Sequence, residues 1–252
     1  MDFTGQGVLV TGASRGIGRA IAIRFAQHGA RVAVHCHANK TAAEETCALL
    51  PGTGHIVLEA DMADAEAVSR MVDDAVEGLG QLDVLVNNAG IYEAHRLAEV
   101  TYASWQAAWR RTLDVNLVGA ANATFCAAQH MISRGGGRVV NVSSRGASRG
   151  EPDYPAYGAS KAGLNSLGQS LAQALAPHGV YVMTVAPGFV ETDMTAALLQ
   201  GESGQSIRDQ SPLGRAGVPD EVAYVVAFLA SAGAEYSTGS IVDVNGASYL
   251  RS

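Results

Sequence analysis

The chain has 252 residues, 48% of them hydrophobic and 16% charged, with a formal net charge of −7. That length suits one large α/β domain or two small ones. The negative balance excludes a chain built to coat nucleic acid, and the apolar fraction excludes disorder. Glycine occurs 29 times against 7 prolines, which points to tight turns and close backbone approaches rather than a linker-like composition.

The opening Met1-Asp2-Phe3-Thr4-Gly5 lacks a basic start followed by an apolar run, so no secretory signal is expected. No stretch of about 18 apolar residues occurs, so no membrane span is expected either. Cys36, Cys47 and Cys126 are odd in number and widely spaced, which fits neither a disulfide framework nor a zinc site. His35 and His37 flank Cys36, but no further ligand follows nearby and no metal is expected. A reducing cytoplasm is the expected compartment.

In chain order, residues 7–11 read as a strand and residues 16–28 as a helix, with apolar positions at Ile17, Ala20, Ile21, Ile23 and Phe25. A second strand covers 31–34, and a helix over 42–50 is stopped by Pro51-Gly52. A third strand at 55–58 precedes a helix through Val68, Met71, Val72 and Val76. After a fourth strand at 82–86 comes a long helical zone, 101–133, interrupted by Gly119. A fifth strand at 137–142, a helix at 157–176 and a sixth strand at 180–185 follow. Residues 191–213 break the rhythm, and an irregular insertion of that kind reads as a lid or binding segment, taken as a substrate lid over about 189–213. A helix at 219–230, with Pro219 in its first turn, leads to a last strand at 241–244. This alternation predicts an α/β, doubly wound, Rossmann-type parallel sheet with helices on both faces, in a single domain over 1–252.

Thr11-Gly12-Ala13-Ser14-Arg15-Gly16-Ile17-Gly18 lies between the first strand and the first helix. Its order is GxxxGxG rather than GxGxxG, but its strand-turn-helix setting is the one that places a pyrophosphate on a helix N-terminus. The second strand ends Val34-His35-Cys36-His37-Ala38-Asn39-Lys40, with no acid before Glu44 to hold a ribose 2′-hydroxyl. Arg15, aided by His37, Asn39 or Lys40, offers charge to a 2′-phosphate, so NADP is favoured over NAD.

Tyr157 and Lys161 stand one helical turn apart on one face. A lysine ammonium beside a phenol favours the phenolate, so Tyr157 is expected to have a lowered pKa and to serve as an acid or base. Asn141-Val142-Ser143-Ser144, Asn87-Asn88-Ala89-Gly90 and Pro187-Gly188 end three further strands, placing polar or backbone-exposing groups along one sheet edge.

Together TGASRGIG at 11–18, NNAG at 87–90, Asn116, Ser144, Tyr157-x-x-x-Lys161 and the run from Pro187 to Thr192 resemble the short-chain dehydrogenase/reductase family, over essentially the whole chain. The resemblance implies one Rossmann domain with a seven-stranded parallel sheet and a homotetrameric habit. It implies that Tyr157 exchanges the proton, that Ser144 orients the substrate, with Ser143 structural, and that Lys161 holds the nicotinamide ribose and tunes Tyr157. It further implies that Asn116 interrupts its helix and holds a water linked to Lys161. The cofactor set is implied to be Gly12, Ser14, Arg15, Gly16, Ile17 and Gly18 in the loop. Asp61 and Met62 follow at the third strand, then Asn88, Ala89 and Gly90 beside the adenine ribose, then Pro187, Gly188, Val190 and Thr192 at the nicotinamide.

Within that family the pattern is most similar to 3-oxoacyl-type ketoreductases, on Phe189-Val190-Glu191-Thr192-Asp193-Met194. The sequence departs from it where the helix end Gln173–His178 carries no arginine, leaving Arg134 alone for a carrier protein, and where Arg145 directly follows the serine. Arg145 and Arg149 either face solvent or charge the pocket, and Tyr92, His95, Tyr154, Phe189 and Met194 are candidates to line it. Alternatives are a dehydrogenase of a small or anionic ketone, a sugar, a steroid or another alcohol and, from another class, a catalytically silent nucleotide-binding regulatory protein. The small-molecule readings predict NADPH consumption with some ketone; the silent protein predicts none.

Overall fold

The computed structural model describes residues 1–251, without the side chains of residues 202 and 203. Seven parallel strands lie in the order β3-β2-β1-β4-β5-β6-β7. They are β1 Gly7–Val10, β2 Arg31–Cys36, β3 Ile56–Glu59, β4 Val84–Asn87, β5 Gly137–Val142, β6 Val180–Pro187 and β7 Ile241–Val244. The order reverses between β1 and β4, opening the crevice where such sheets take their ligands.

Strand side chains alternate between faces, and the core divides accordingly. Val8, Val10, Val32, Val34, Val84 and Val86 pack in one buried cluster with α1 (Gly16–Gln27) and α9 (Pro219–Ala230). Leu9, Ala33, Leu85, Val139 and Val182 pack in a second, with α3 (Ala65–Leu79) and α5 (Gly119–Ser133). Burial on both faces is why these strands read as unbroken apolar runs.

Element boundaries move where capping groups act. Asn39 accepts from Ala42 N at 3.0 Å, so α2 runs Lys40–Ala48 rather than 42–50. The zone 101–133 is not one helix: α4 (Tyr102–Leu113) passes through a π-helical turn, Asp114–Val118, into α5. Gly119 sits where a Cβ would meet Met62 O at 2.3 Å, so glycine is what lets α5 approach the loop after β3. After the short α6 (Gly146–Arg149), α7 begins at Pro155 and ends at Leu175, followed by a 3₁₀ turn over Ala176–His178. The segment 191–213, read as irregular, contains a further helix, α8 (Gly201–Arg208).

Candidate active site

The glycine loop joins β1 to α1. Gly12 has φ +64, and a Cβ there would meet Ala89 Cα at 2.9 Å, so only glycine closes this turn against the end of β4. Asn88 Nδ2 donates to Thr11 O at 2.8 Å and Gly12 O at 3.1 Å, fixing that loop to NNAG. Arg15 is the N-cap of α1, and no side chain caps this helix, so its leading N–H groups are free for an anion. His35, buried at the end of β2, accepts from Gly12 N at 3.0 Å and meets Ala60 O at 3.0 Å. The Gly12 bond assigns the proton to Nε2, and His35 is thereby a loop-positioning group rather than a metal ligand. No cluster that could hold a metal occurs among the described residues.

At the 2′-phosphate side the structure separates the candidates. Arg15 is exposed. His37 faces Asp61 at 3.7 Å, because the β2–β3 register brings the end of β3 alongside. Asn39 spends its carbonyl oxygen on the α2 cap, leaving only its NH₂ for a ligand. The strand end therefore has acidic neighbours, Glu59 opposite Cys36 and Asp61 beside His37, that proximity in sequence does not reveal.

Ser144 and Tyr157 line one cleft of about 60 Å³, with Tyr92, Arg145, Glu151, Gly188, Phe189, Met194 and Thr195. Lys161 lies beneath: its Nζ is 5.7 Å from the Tyr157 ring centroid and donates to Val142 O at 2.8 Å. Ser143 turns away, its Oγ donating to Lys161 O at 3.2 Å, as a structural serine should. Asn116 stands in the π-helical turn, where Oδ1 accepts from Ile91 N at 2.8 Å and Nδ2 donates to Ile91 O and Ser160 Oγ. A Cβ on Gly90 would meet Asn116 Oδ1 at 3.3 Å and Lys161 Nζ at 3.6 Å, so three sequence-predicted residues converge there.

The expected depression of the Tyr157 pKa is not what the site shows. Burial pushes the phenol up to about 12, against the hydrogen bond from Ser144, which favours the phenolate. Lys161 is too deeply buried to hold its own proton firmly, and burial brings it down to about 8. At neutral pH Tyr157 is thus a protonated phenol, the form that donates.

Of the pocket candidates, Tyr92, Phe189 and Met194 line the cleft. Tyr154 instead stacks on Tyr92, centroids 3.7 Å apart. His95 is not a pocket residue: it is buried, its Nδ1 meets Glu93 O at 2.9 Å, and its Nε2 accepts from Ala156 N at 3.1 Å. It thereby holds the first turn of α7, which carries Tyr157. Arg145 and Arg149 part company: Arg149 is exposed, Arg145 fully enclosed.

A nucleotide-loop crevice beside two hydroxyls and a lysine defines an oxidoreductase that moves hydride between a nicotinamide and a carbonyl or alcohol carbon. The chain belongs to the short-chain dehydrogenase/reductase family. Residues 12–247 match a family model described as enoyl-(acyl carrier protein) reductase. A 3-oxoacyl-acyl-carrier-protein reductase of Staphylococcus aureus is 40% identical over 97% of this chain and 98% of its own length. One from Synechocystis is 37% identical, over 96% of each chain. A short-chain dehydrogenase of Burkholderia cenocepacia, crystallised with NADP, is 36% identical with a TM-score of 0.89, covering 98% of this chain and 99% of that one. A dehydrogenase/reductase of Sinorhizobium meliloti gives a TM-score of 0.91 at 34% identity, covering 99% of this chain and 97% of that one.

Proposed function

We propose that the protein is an NADP(H)-dependent ketoreductase of the 3-oxoacyl type, acting on a small-molecule carbonyl compound. The observation that carries this is the convergence of the Ser144 and Tyr157 hydroxyls on one cleft, with Lys161 under the phenol, at the carboxyl edge of the sheet.

The residues present fit the nicotinamide nucleotide. The uncapped N-terminus of α1 and the glycine loop would take the pyrophosphate, Arg15 a 2′-phosphate, and Asp61 and Met62 the adenine end. Asn88–Gly90, Lys161, Pro187, Gly188, Val190 and Thr192 would take the ribose and carboxamide. When bound, the nucleotide supplies the hydride. Ser144 and Tyr157 hold the substrate oxygen, and Tyr157, protonated at neutral pH, delivers its proton there as charge develops. Lys161 supports the phenolate left behind. Residues 189–213 close over the cleft as a lid, a role supported by Phe189, Met194 and Thr195 on its wall.

The protein is a homo-oligomer in this reading, a tetramer. Exposed apolar side chains on two helices, Val118 and Phe125 at α5 and Tyr224 and Phe228 on α9, support it. The cytoplasm fits the free cysteines. Sedimentation decides the assembly: a clean monomer at micromolar concentration contradicts it.

The reaction is tested with β-keto esters, β-ketoacyl thioesters, cyclic ketones, sugars and a matched 2-enoyl thioester, each with NADPH and NADH. The expected result is NADPH consumption with a β-keto compound and none with the enoyl thioester. NADPH binding without turnover of any ketone contradicts the reading and favours a silent nucleotide-binding protein.

A further inference from the structure

Arg145 is only 3% exposed, although a guanidinium cannot shed its charge. Its Nη2 donates to Gln210 Oε1 at 2.7 Å, and its Cζ lies 4.6 Å from the Phe189 ring centroid. Its Nη1 is buried with no partner at all. Burying a cation is costly unless an anion or a full set of acceptors meets it. Among the described residues no carboxylate comes within ion-pair reach of Arg145. Glu151 lines the same cleft and its charge acts on Arg145 from beyond ion-pair distance, while Tyr92 donates to its Oε2 at 3.4 Å and Oε1 packs where a Cβ on Gly146 would stand, so no direct bond meets the guanidinium.

Arg145 borders two spaces. One is the catalytic cleft with Ser144 and Tyr157; the other is an adjoining cavity of about 150 Å³ between the end of β7 and the segment 207–222. Ser248 lines that cavity, and its Oγ is a second buried polar atom without a partner. The cavity's other charges are committed. Arg215 forks onto Glu221 at 2.7 and 2.9 Å, and Asp243 accepts from Arg251 at 2.8 Å. The uncommitted charge is therefore positive, and it stands one residue from the substrate-orienting serine.

We propose that Arg145 receives a carboxylate carried by the carbonyl substrate itself, so that the preferred substrate is a short oxo acid rather than a neutral ketone. The inference rests on the ketoreductase reading and names its substrate class. Because Ser144, Tyr157 and Arg145 line the same cleft of about 60 Å³, a carbonyl and a carboxylate held there belong to one short molecule. The guanidinium offers two N–H donors in the planar fork that suits a carboxylate, and Ser248 supplies a further donor in the space beyond.

The test compares 3-oxobutanoate with methyl 3-oxobutanoate, which differ in that charge. Wild-type protein with NADPH should show the higher kcat/KM for the acid. R145M should lower the acid-to-ester ratio about 10- to 100-fold, the loss expected for a hydrogen bond to a charged group. NADPH affinity serves as the check on folding; if R145M does not fold, R145K, which keeps the charge but not the fork, should lower the same ratio less steeply. Malonate, which has no ketone to reduce, should raise the melting temperature of wild type and not of the variant. An unchanged ratio, or the same malonate shift in both proteins, overturns the proposal. If neither ketone is turned over while malonate still discriminates, the reaction assignment falls and the anion site stands.

Discussion

Lys161 Nζ lies 5.7 Å from the ring centroid of Tyr157 yet gives its hydrogen bond to Val142 O, at 2.8 Å. The lysine is thus anchored to the sheet edge and makes no hydrogen bond to the phenol among the described residues. Burial works against both charged forms, pushing Tyr157 up to about 12 and Lys161 down to about 8.

This has a consequence in pH. Lys161 carries its charge below about 8 and loses it as pH rises through that value. Since kcat/KM reports ionisations of the free enzyme, kcat/KM for NADPH should fall on an alkaline limb near pH 8. In Lys161→Arg, whose guanidinium stays protonated, that limb should vanish even if the rate is lower. A limb unchanged in the arginine variant assigns it to another group.

Arg15 should set the cofactor preference. It is exposed at the head of α1, and a charge-assisted contact contributes roughly 1.5–3 kcal/mol. Arg15→Ala should raise the KM for NADPH about 10- to 100-fold and leave that for NADH nearly unchanged. Steady-state kinetics with both nucleotides check this. Because His37 is drawn toward Asp61, His37→Ala should have a much smaller effect on NADPH.

His95 should matter without touching substrate. Its Nε2 satisfies Ala156 N, one residue before Tyr157, in a buried setting. His95→Ala leaves that N–H without a partner, at a cost of about 1–3 kcal/mol. A chain of this size loses roughly 2–4 °C per kcal/mol, so the melting temperature should fall measurably. The rate should fall with it, as α7 loosens. His95→Gln, which keeps an acceptor, should recover part of both; equal loss in the two variants means the bond to Ala156 is not what matters.

What the sequence discloses here is local. The strand and helix periods, the glycine loop, and the residues closing β4, β5 and β6 are read from neighbours in the chain, and the fold places them together as expected. What it conceals is non-local. Asp61 reaches His37 through the β2–β3 register, and His95 meets Ala156 across 61 positions. Arg145 looks like a surface charge until Phe189 and Gln210 close over it. The spacing of a helical turn reveals that a lysine is close to Tyr157, but not how deeply the phenol is buried. Even Gly119, which breaks the helical pattern, finds its reason only in Met62, on another loop.

In the proposed reaction the Tyr157 hydroxyl delivers the proton to the reacting oxygen. The direct measurement is Tyr157→Phe, with ketone turnover and NADPH binding followed on the same preparation. Only the phenolic proton and oxygen are removed, so turnover should fall by on the order of 10²–10⁴ while the NADPH dissociation constant changes little. A variant that keeps more than about a tenth of wild-type activity, set against that expected loss, would contradict the account.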